Sequence, residues 1–269
     1  MNILDKIIEA KKIEVAQRKT ARPIHQLERE TFFSHKTLSL RDYLLREDKT
    51  GIIAEFKRKS PSKGIINDLA SVTSVTKAYA AHGASGISVL TDQYFFGGTL
   101  DDLQAATINN VPLLRKDFII DEYQLVESKA FGAEVILLIA ACLTPTEVNR
   151  LSATARDLGL NVLLEIHNEE ELGHIVPTVD VVGVNNRDLK TFITDINRSV
   201  TLSSLIPKDV IKISESGIDD IASIQLLKQH GFHGFLVGEK FMKEKDPGLA
   251  FENFVSALNN ANKKSGNEN

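Results

Sequence analysis

The sequence predicts an α/β fold, a closed (βα)8 barrel of the TIM type with an N-terminal helical extension. Three observations carry that prediction. Eight short apolar runs occur from Gly51 onward, they begin at intervals of 19 to 35 residues, and helix starts and stops can be read between them.

Taken in order, residues 1–48 are charged and helix-like. Ile3, Leu4, Ile7 and Ile8, followed by Lys11 and Lys12, form a short amphipathic pattern. The apolar runs are GIIAEF (51–56), GISVL (86–90), VPLLR (111–115), EVILLIA (134–140), NVLLEI (161–166), DVVGV (180–184), VIKIS (210–214) and GFLVG (234–238). Most are continuous and β-branched rather than alternating, as in strands covered on both faces, which implies a parallel sheet. Between them, Thr144-Pro145-Thr146-Glu147 reads as a capping box with proline at the first helical position. Val148, Leu151, Ala155 and Leu158 keep helical spacing, and Gly159 ends the helix. Gly83, Gly132 and Gly231 mark similar stops, each just before the next run. An open doubly wound sheet is the main rival. The lack of G-x-G-x-x-G after the first run counts against its dinucleotide-binding form. Eight units in about 190 residues favour closure. The expectation is one domain over 1–269, with residues 1–48 packed on the barrel and a polar tail, NNANKKSGNEN, frayed at its end.

Composition narrows the function. Hydrophobic residues make up 42% of the 269 and charged residues 25%, as in an ordinary globular protein. A chain of this length buries roughly 75% of its unfolded surface and needs no disulfide. Its single cysteine, Cys142, follows the apolar run EVILLIAA and is expected to be a buried, inert thiol. Such cysteine usage fits a cytoplasmic setting. The net charge of −4 and the lack of a wide basic field argue against nucleic acid. No run approaches the ~18 residues of a membrane span, and the start lacks the apolar core of a signal peptide. The seven histidines show no HExxH-like spacing, so no metal is expected. His82, before Gly83, reads as a helix-end residue favoured by the dipole.

In a barrel the active site sits at the carboxyl ends of the strands, and here those ends are polar. The first run carries Glu55, then Lys57, Arg58, Lys59 and Ser60. The third leads into Arg115, Lys116 and Asp117, and the fifth holds Glu165 before His167. The sixth runs into Asn185, Asn186, Arg187 and Asp188, the seventh into Ser214, Glu215, Ser216 and Gly217, and the eighth into Gly238 and Glu239. Glu55 and Lys57 are two apart and share a strand face. Glu165 lies between Leu164 and Ile166, and a buried charge needs a partner. Each such pair could be a structural ion pair; several converging on one rim favour function. Two further segments, ISESGI before DDIASIQLLKQHG and LVGEKFMK, place Gly217 and Gly238 at helix starts, where backbone N–H groups bind anions. The same glycines could simply make tight turns. The cationic, hydroxyl-bearing loop Lys59-Ser60-Pro61-Ser62-Lys63-Gly64 tilts the reading toward phosphate, and its charge and terminal glycine make it a mobile loop by expectation.

In order, IIAEFKRKSPSKG, SVLTDQYFFGG, PLLRKDFIIDEYQ, LLEIHNEEEL, VGVNNRDLKTF, ISESGI and FLVGEKFM resemble the indole-3-glycerol phosphate synthase family over about residues 51 to 243. The resemblance implies conversion of 1-(2-carboxyphenylamino)-1-deoxyribulose 5-phosphate to indole-3-glycerol phosphate, carbon dioxide and water, in tryptophan biosynthesis, with no metal or organic cofactor. It also implies roles. Lys116 would be the general acid at the ketone, with its pKa lowered by neighbouring cations. Glu165 would be the general base of the dehydration. Lys57 would bind the anthranilate carboxylate and could donate a proton to the leaving hydroxyl; which lysine serves which proton transfer stays open. Glu55, Asn185 and Glu215 would orient these groups. Ser60, Ser216, Gly217, Gly238 and Glu239 would serve the phosphate and nearby polar atoms, Glu239 through its backbone N–H. Phe96, Phe118, Leu137 and Leu236 would line the aromatic pocket, and Arg187 would support the rim. A small phosphorylated substrate is the expected partner, with neither nucleic acid nor membrane, and the chain is expected to act as a monomer, a weak homo-oligomer remaining open. A sugar-phosphate isomerase would need no anthranilate pocket, and a non-catalytic phosphate-binding barrel would need neither Lys116 nor Glu165.

Overall fold

The computed structural model describes residues 3–188 and 191–266. Three helices come first, α1 (Ile3–Ala21), α2 (Ile24–Leu27) and α3 (Leu40–Leu45). Strand β1 (Ile52–Phe56) follows, then a small antiparallel hairpin of β2 (Lys59–Ser60) and β3 (Gly64–Ile65). The remaining strands are β4 (Gly86–Leu90), β5 (Leu113–Lys116), β6 (Val135–Ile139), β7 (Asn161–Ile166), β8 (Val181–Asn185), β9 (Ile211–Glu215) and β10 (Gly234–Val237). Between and after them lie α4 (Val72–Ala81), α5 (Gln93–Phe96), α6 (Leu100–Ala106), α7 (Glu122–Ala130), α8 (Pro145–Asp157), α9 (Asn197–Ser203), α10 (Ile221–Gln229), α11 (Glu239–Met242) and α12 (Pro247–Gly266). The eight long strands pair in parallel, in the order β1-β10-β9-β8-β7-β6-β5-β4, and β1 closes on β4. All eight apolar runs therefore form the barrel, and the open-sheet rival is excluded.

Local chemistry sets the ends of these elements. Thr144 accepts from the Glu147 N–H, the Glu147 carboxylate accepts from the Thr144 N–H, and Pro145 opens α8. Gly159 takes φ +73° just past its end, a conformation that costs a glycine little. Two expectations are corrected. The segment after β1 is a hairpin rather than a plain loop. The tail is helical through Gly266, and residues 267–269 lie outside the described residues.

Alternation along each strand divides the core in two. Ile53, Leu114, Leu137, Leu163, Ile213 and Leu236 point into the barrel, and Leu40 and Leu44 of α3 join them from the amino-terminal end. Each such burial contributes about 1.5–3 kcal/mol. Asn161, at the start of β7, ties down this segment: its Oδ1 accepts from the Leu40 N–H at 3.3 Å and its Nδ2 donates to the Leu38 carbonyl at 3.0 Å. Helix α1 packs on α7 through Val15, Tyr123 and Val126, and the Tyr123 hydroxyl donates to the Arg18 and Arg22 carbonyls. Lys11 departs from its expected place on a polar face. It is buried, while Lys12 is exposed. His82 ends α4, with Nε2 3.6 Å from Glu252 of α12.

Candidate active site

The inward positions change character toward the carboxyl ends of the strands. Apolar side chains give way to Glu55, Lys116, Glu165, Asn185 and Glu215, and Lys57 follows β1 on the same face as Glu55. All six line one cavity of about 570 Å³. Lys116 is the hub: its Nζ lies 2.8 Å from Glu165 Oε2 and 2.6 Å from Glu215 Oε2. Across the cavity Lys57 Nζ meets Glu55 Oε1 at 2.6 Å. Asn185 Nδ2 donates to Glu165 Oε1 at 3.1 Å, and His167 Nε2 lies 3.2 Å from the same oxygen.

This setting corrects the expected charge state of Lys116. Burial alone would lower its pKa, but Glu165, Glu215 and Glu55 outweigh burial and raise it above the usual lysine range. Its neighbours are carboxylates, not cations, and the ammonium is held protonated. Burial pushes Glu165 up, but Lys116 and His167 pull it well below the carboxylate range. Glu215 is raised, because burial and the neighbouring Glu165 and Glu55 exceed the pull of Lys116. The lysine thus holds one firmly ionised carboxylate and one that takes up a proton far more readily.

Phe96, Phe118, Leu137 and Leu236 line the same cavity, with the rings of Phe96 and Phe118 6.1 Å apart between centroids. Ser60, Arg187, Ser216, Gly217, Gly238 and Glu239 complete it, so every residue given a site role from the sequence reaches this one space. Ser216 and Gly217 adopt φ +67° and +72° in succession. For Ser216 that conformation costs about 1–3 kcal/mol. The buried Asn186 helps to hold it, donating from Nδ2 to the Ser216 carbonyl at 3.0 Å. Gly238 is needed for a different reason: a Cβ there would run into the Glu55 side chain. Arg187 donates to Ser62 Oγ at 3.0 Å and lies 3.5 Å from Glu239, which ties the hairpin to the start of α11.

Not every charge at the strand ends turns inward. Arg115 is fully buried and bonds Thr91, Asp117, Gln124, Ser128 and Glu127. Arg58 makes a two-pronged pair with Asp102. Cys142 is half-buried rather than fully buried, and burial with Glu165 and Glu171 nearby pushes its thiol up, so it stays protonated.

Two sets of residues escaped the sequence reading. Ile3, Leu4 and Ile7 of α1 line the cavity; their periodicity marked a helix but not its destination. Gly183 sits in the β8 run, where a Cβ would overlap the Glu215 carboxylate. A lone glycine inside a strand was the available signal. Among the described residues, no three His, Cys, Asp or Glu side chains group to hold a metal ion.

Comparison with known proteins fits this geometry. The profile of the family described as indole-3-glycerol phosphate synthase matches residues 4–254. The indole-3-glycerol phosphate synthase of Bacteroides thetaiotaomicron is 46% identical over 258 residues, spanning 96% of this chain and 99% of that one. That of Salinibacter ruber is 42% identical over 254 residues, spanning 93% and 94%. Among solved structures, the tryptophan synthase alpha subunit of Legionella pneumophila superposes with a TM-score of 0.59 at 14% identity, over 83% of this chain and 98% of that one, a likeness of fold alone. With the family profile covering nearly the whole barrel and relatives this similar along their full length, the chain belongs to the indole-3-glycerol phosphate synthase family.

Proposed function

We propose that this cavity carries out ring closure, decarboxylation and dehydration of 1-(2-carboxyphenylamino)-1-deoxyribulose 5-phosphate, giving indole-3-glycerol phosphate. The observation that carries the assignment of residues is the Lys116 ammonium between Glu165 and Glu215, facing the Lys57–Glu55 pair across one space. The aromatic ring lies between Phe96 and Phe118, and the phosphate meets the backbone at Ser216–Gly217 and Gly238–Glu239. At the first residue of α11 the Glu239 N–H has no partner within its helix, as an anion site requires.

The ring carbon that bears the carboxylate attacks the ketone carbon, and Lys116 protonates the ketone oxygen as charge develops there. Carbon dioxide then leaves, and its bonding electrons return to the iminium and restore the aromatic ring. Lys57 protonates the departing hydroxyl, Glu165 takes the proton from the adjacent carbon, and water is lost. Glu55, Asn185 and Glu215 hold the two lysines and the substrate hydroxyls. All these side chains come from one chain, which supports action as a monomer, and a phosphorylated metabolite with a single protonated thiol supports a cytoplasmic enzyme. Purified protein with no added metal should convert this substrate to the fluorescent indole product. Lys116→Ala should turn over about 10²–10⁴-fold more slowly with its fold intact. Wild-type turnover no faster than that variant's would overturn the proposal.

A further inference from the structure

Lys11 takes no part in the chemistry above, yet it is among the most deeply buried charges in the protein, with 1% of its side chain exposed. Its Nζ lies 2.9 Å from each of three carboxylates: Glu14 on its own helix, Asp92 after β4 and Asp117 after β5. Burial favours loss of its proton, but Asp117, Asp92 and Glu14 outweigh burial and keep the ammonium charged.

Each connection leads to a wall of the cavity. Ile3, Leu4 and Ile7 lie eight, seven and four residues before Lys11, on the same face of α1, and all three line the cavity. Asp92 caps α5, its Oδ1 accepting from the Phe95 N–H at 2.7 Å, and Phe96 of that short helix lines the cavity too. Asp117 Oδ1 accepts from the Phe118 N–H at 2.8 Å, beside the second ring. One ammonium thus joins the helix, the turn and the strand end that surround the aryl part of the site.

We infer that Lys11 is a positioning residue that sets affinity for the aromatic end of the substrate, holding the α1 wall, Phe96 and Phe118 in register without touching substrate. The inference rests on the function proposed above. A wall held in place before binding needs no ordering when the ligand arrives.

The test compares wild type with Lys11→Met by steady-state turnover, and measures inhibition by inorganic phosphate, which probes only the other end of the site. Lys11→Met should raise KM about ten-fold or more, with kcat within about three-fold and phosphate inhibition unchanged. Should that variant fail to fold, Lys11→Met/Asp92→Asn removes one counter-charge while keeping a capping side chain on α5, and carries the same expectation. An unchanged KM, a loss confined to kcat, or equal weakening of substrate and phosphate would overturn the inference. Absence of turnover in the wild type would instead count against the proposed reaction, so the two failures are distinguishable.

Discussion

Two buried clusters of charge meet on strand β5 and differ in what they do. Lys116 points into the barrel and bridges Glu165 and Glu215, while its neighbours Arg115 and Asp117 bind one another outside it. The outer cluster is closed on itself: Arg115 uses all three guanidinium nitrogens, and Lys11 meets three carboxylates. The inner one faces open space, and Glu215 Oε1 is buried with no hydrogen-bond partner. Residues next to each other in sequence thus belong to a scaffold and to a site, separated only by the alternation of a strand. A closed network stabilises; an open one keeps groups available to a ligand.

The sharpest way to break the comparison is to remove one member of each cluster. Glu165→Gln should lower kcat of the folded fraction by about 10²–10⁴-fold. Arg115→Met should instead cost on the order of 3 kcal/mol in urea unfolding, because it leaves Asp117 only Lys11 and Glu127 only Arg18 as cationic partners, and leave kcat of the folded fraction close to wild type. The reverse pattern would erase the distinction. A smaller effect is expected at Gly183. Gly183→Ala pushes against the Glu215 carboxylate, and a shift of that kind should lower kcat by up to about 100-fold, with little change in melting temperature.

The smallest effect concerns His167, which lies between Glu165 and Glu171. Burial opposes its charge, but the two carboxylates raise its pKa to about 9 from the ordinary 6.5. A histidine raised in this way stabilises the fold fully below pH 6.5 and loses that contribution as pH climbs through about 9. His167→Asn should therefore be less stable than wild type at pH 6, and the gap in urea midpoint should close by about pH 10. A gap independent of pH would mean that the ring is held by packing rather than charge.

Much of this was legible in the sequence. The eight strands, the α8 capping box and the residues around the cavity follow from apolar runs, cap chemistry and the family's motifs. Three features were not. The pairing of Lys116 with Glu165 and Glu215 joins residues 49 and 99 positions apart, and the carboxylates around that lysine reversed its expected charge environment. Lys11 and Lys12 look alike in the text, but only Lys11 faces the barrel. Gly183 reads as a weak point in a strand until Glu215 is placed beside it.

The sequence by itself determined the eight strand runs, the helix ends and the likeness to the family, and it favoured a closed barrel, because these rest on local periodicity, end-capping and motifs along the chain. Only the tertiary structure decided which charges share a cavity, which protons they hold and why α1 is pinned over the site. Those outcomes depend on distances between remote residues and on burial, and closing the barrel sets both at once.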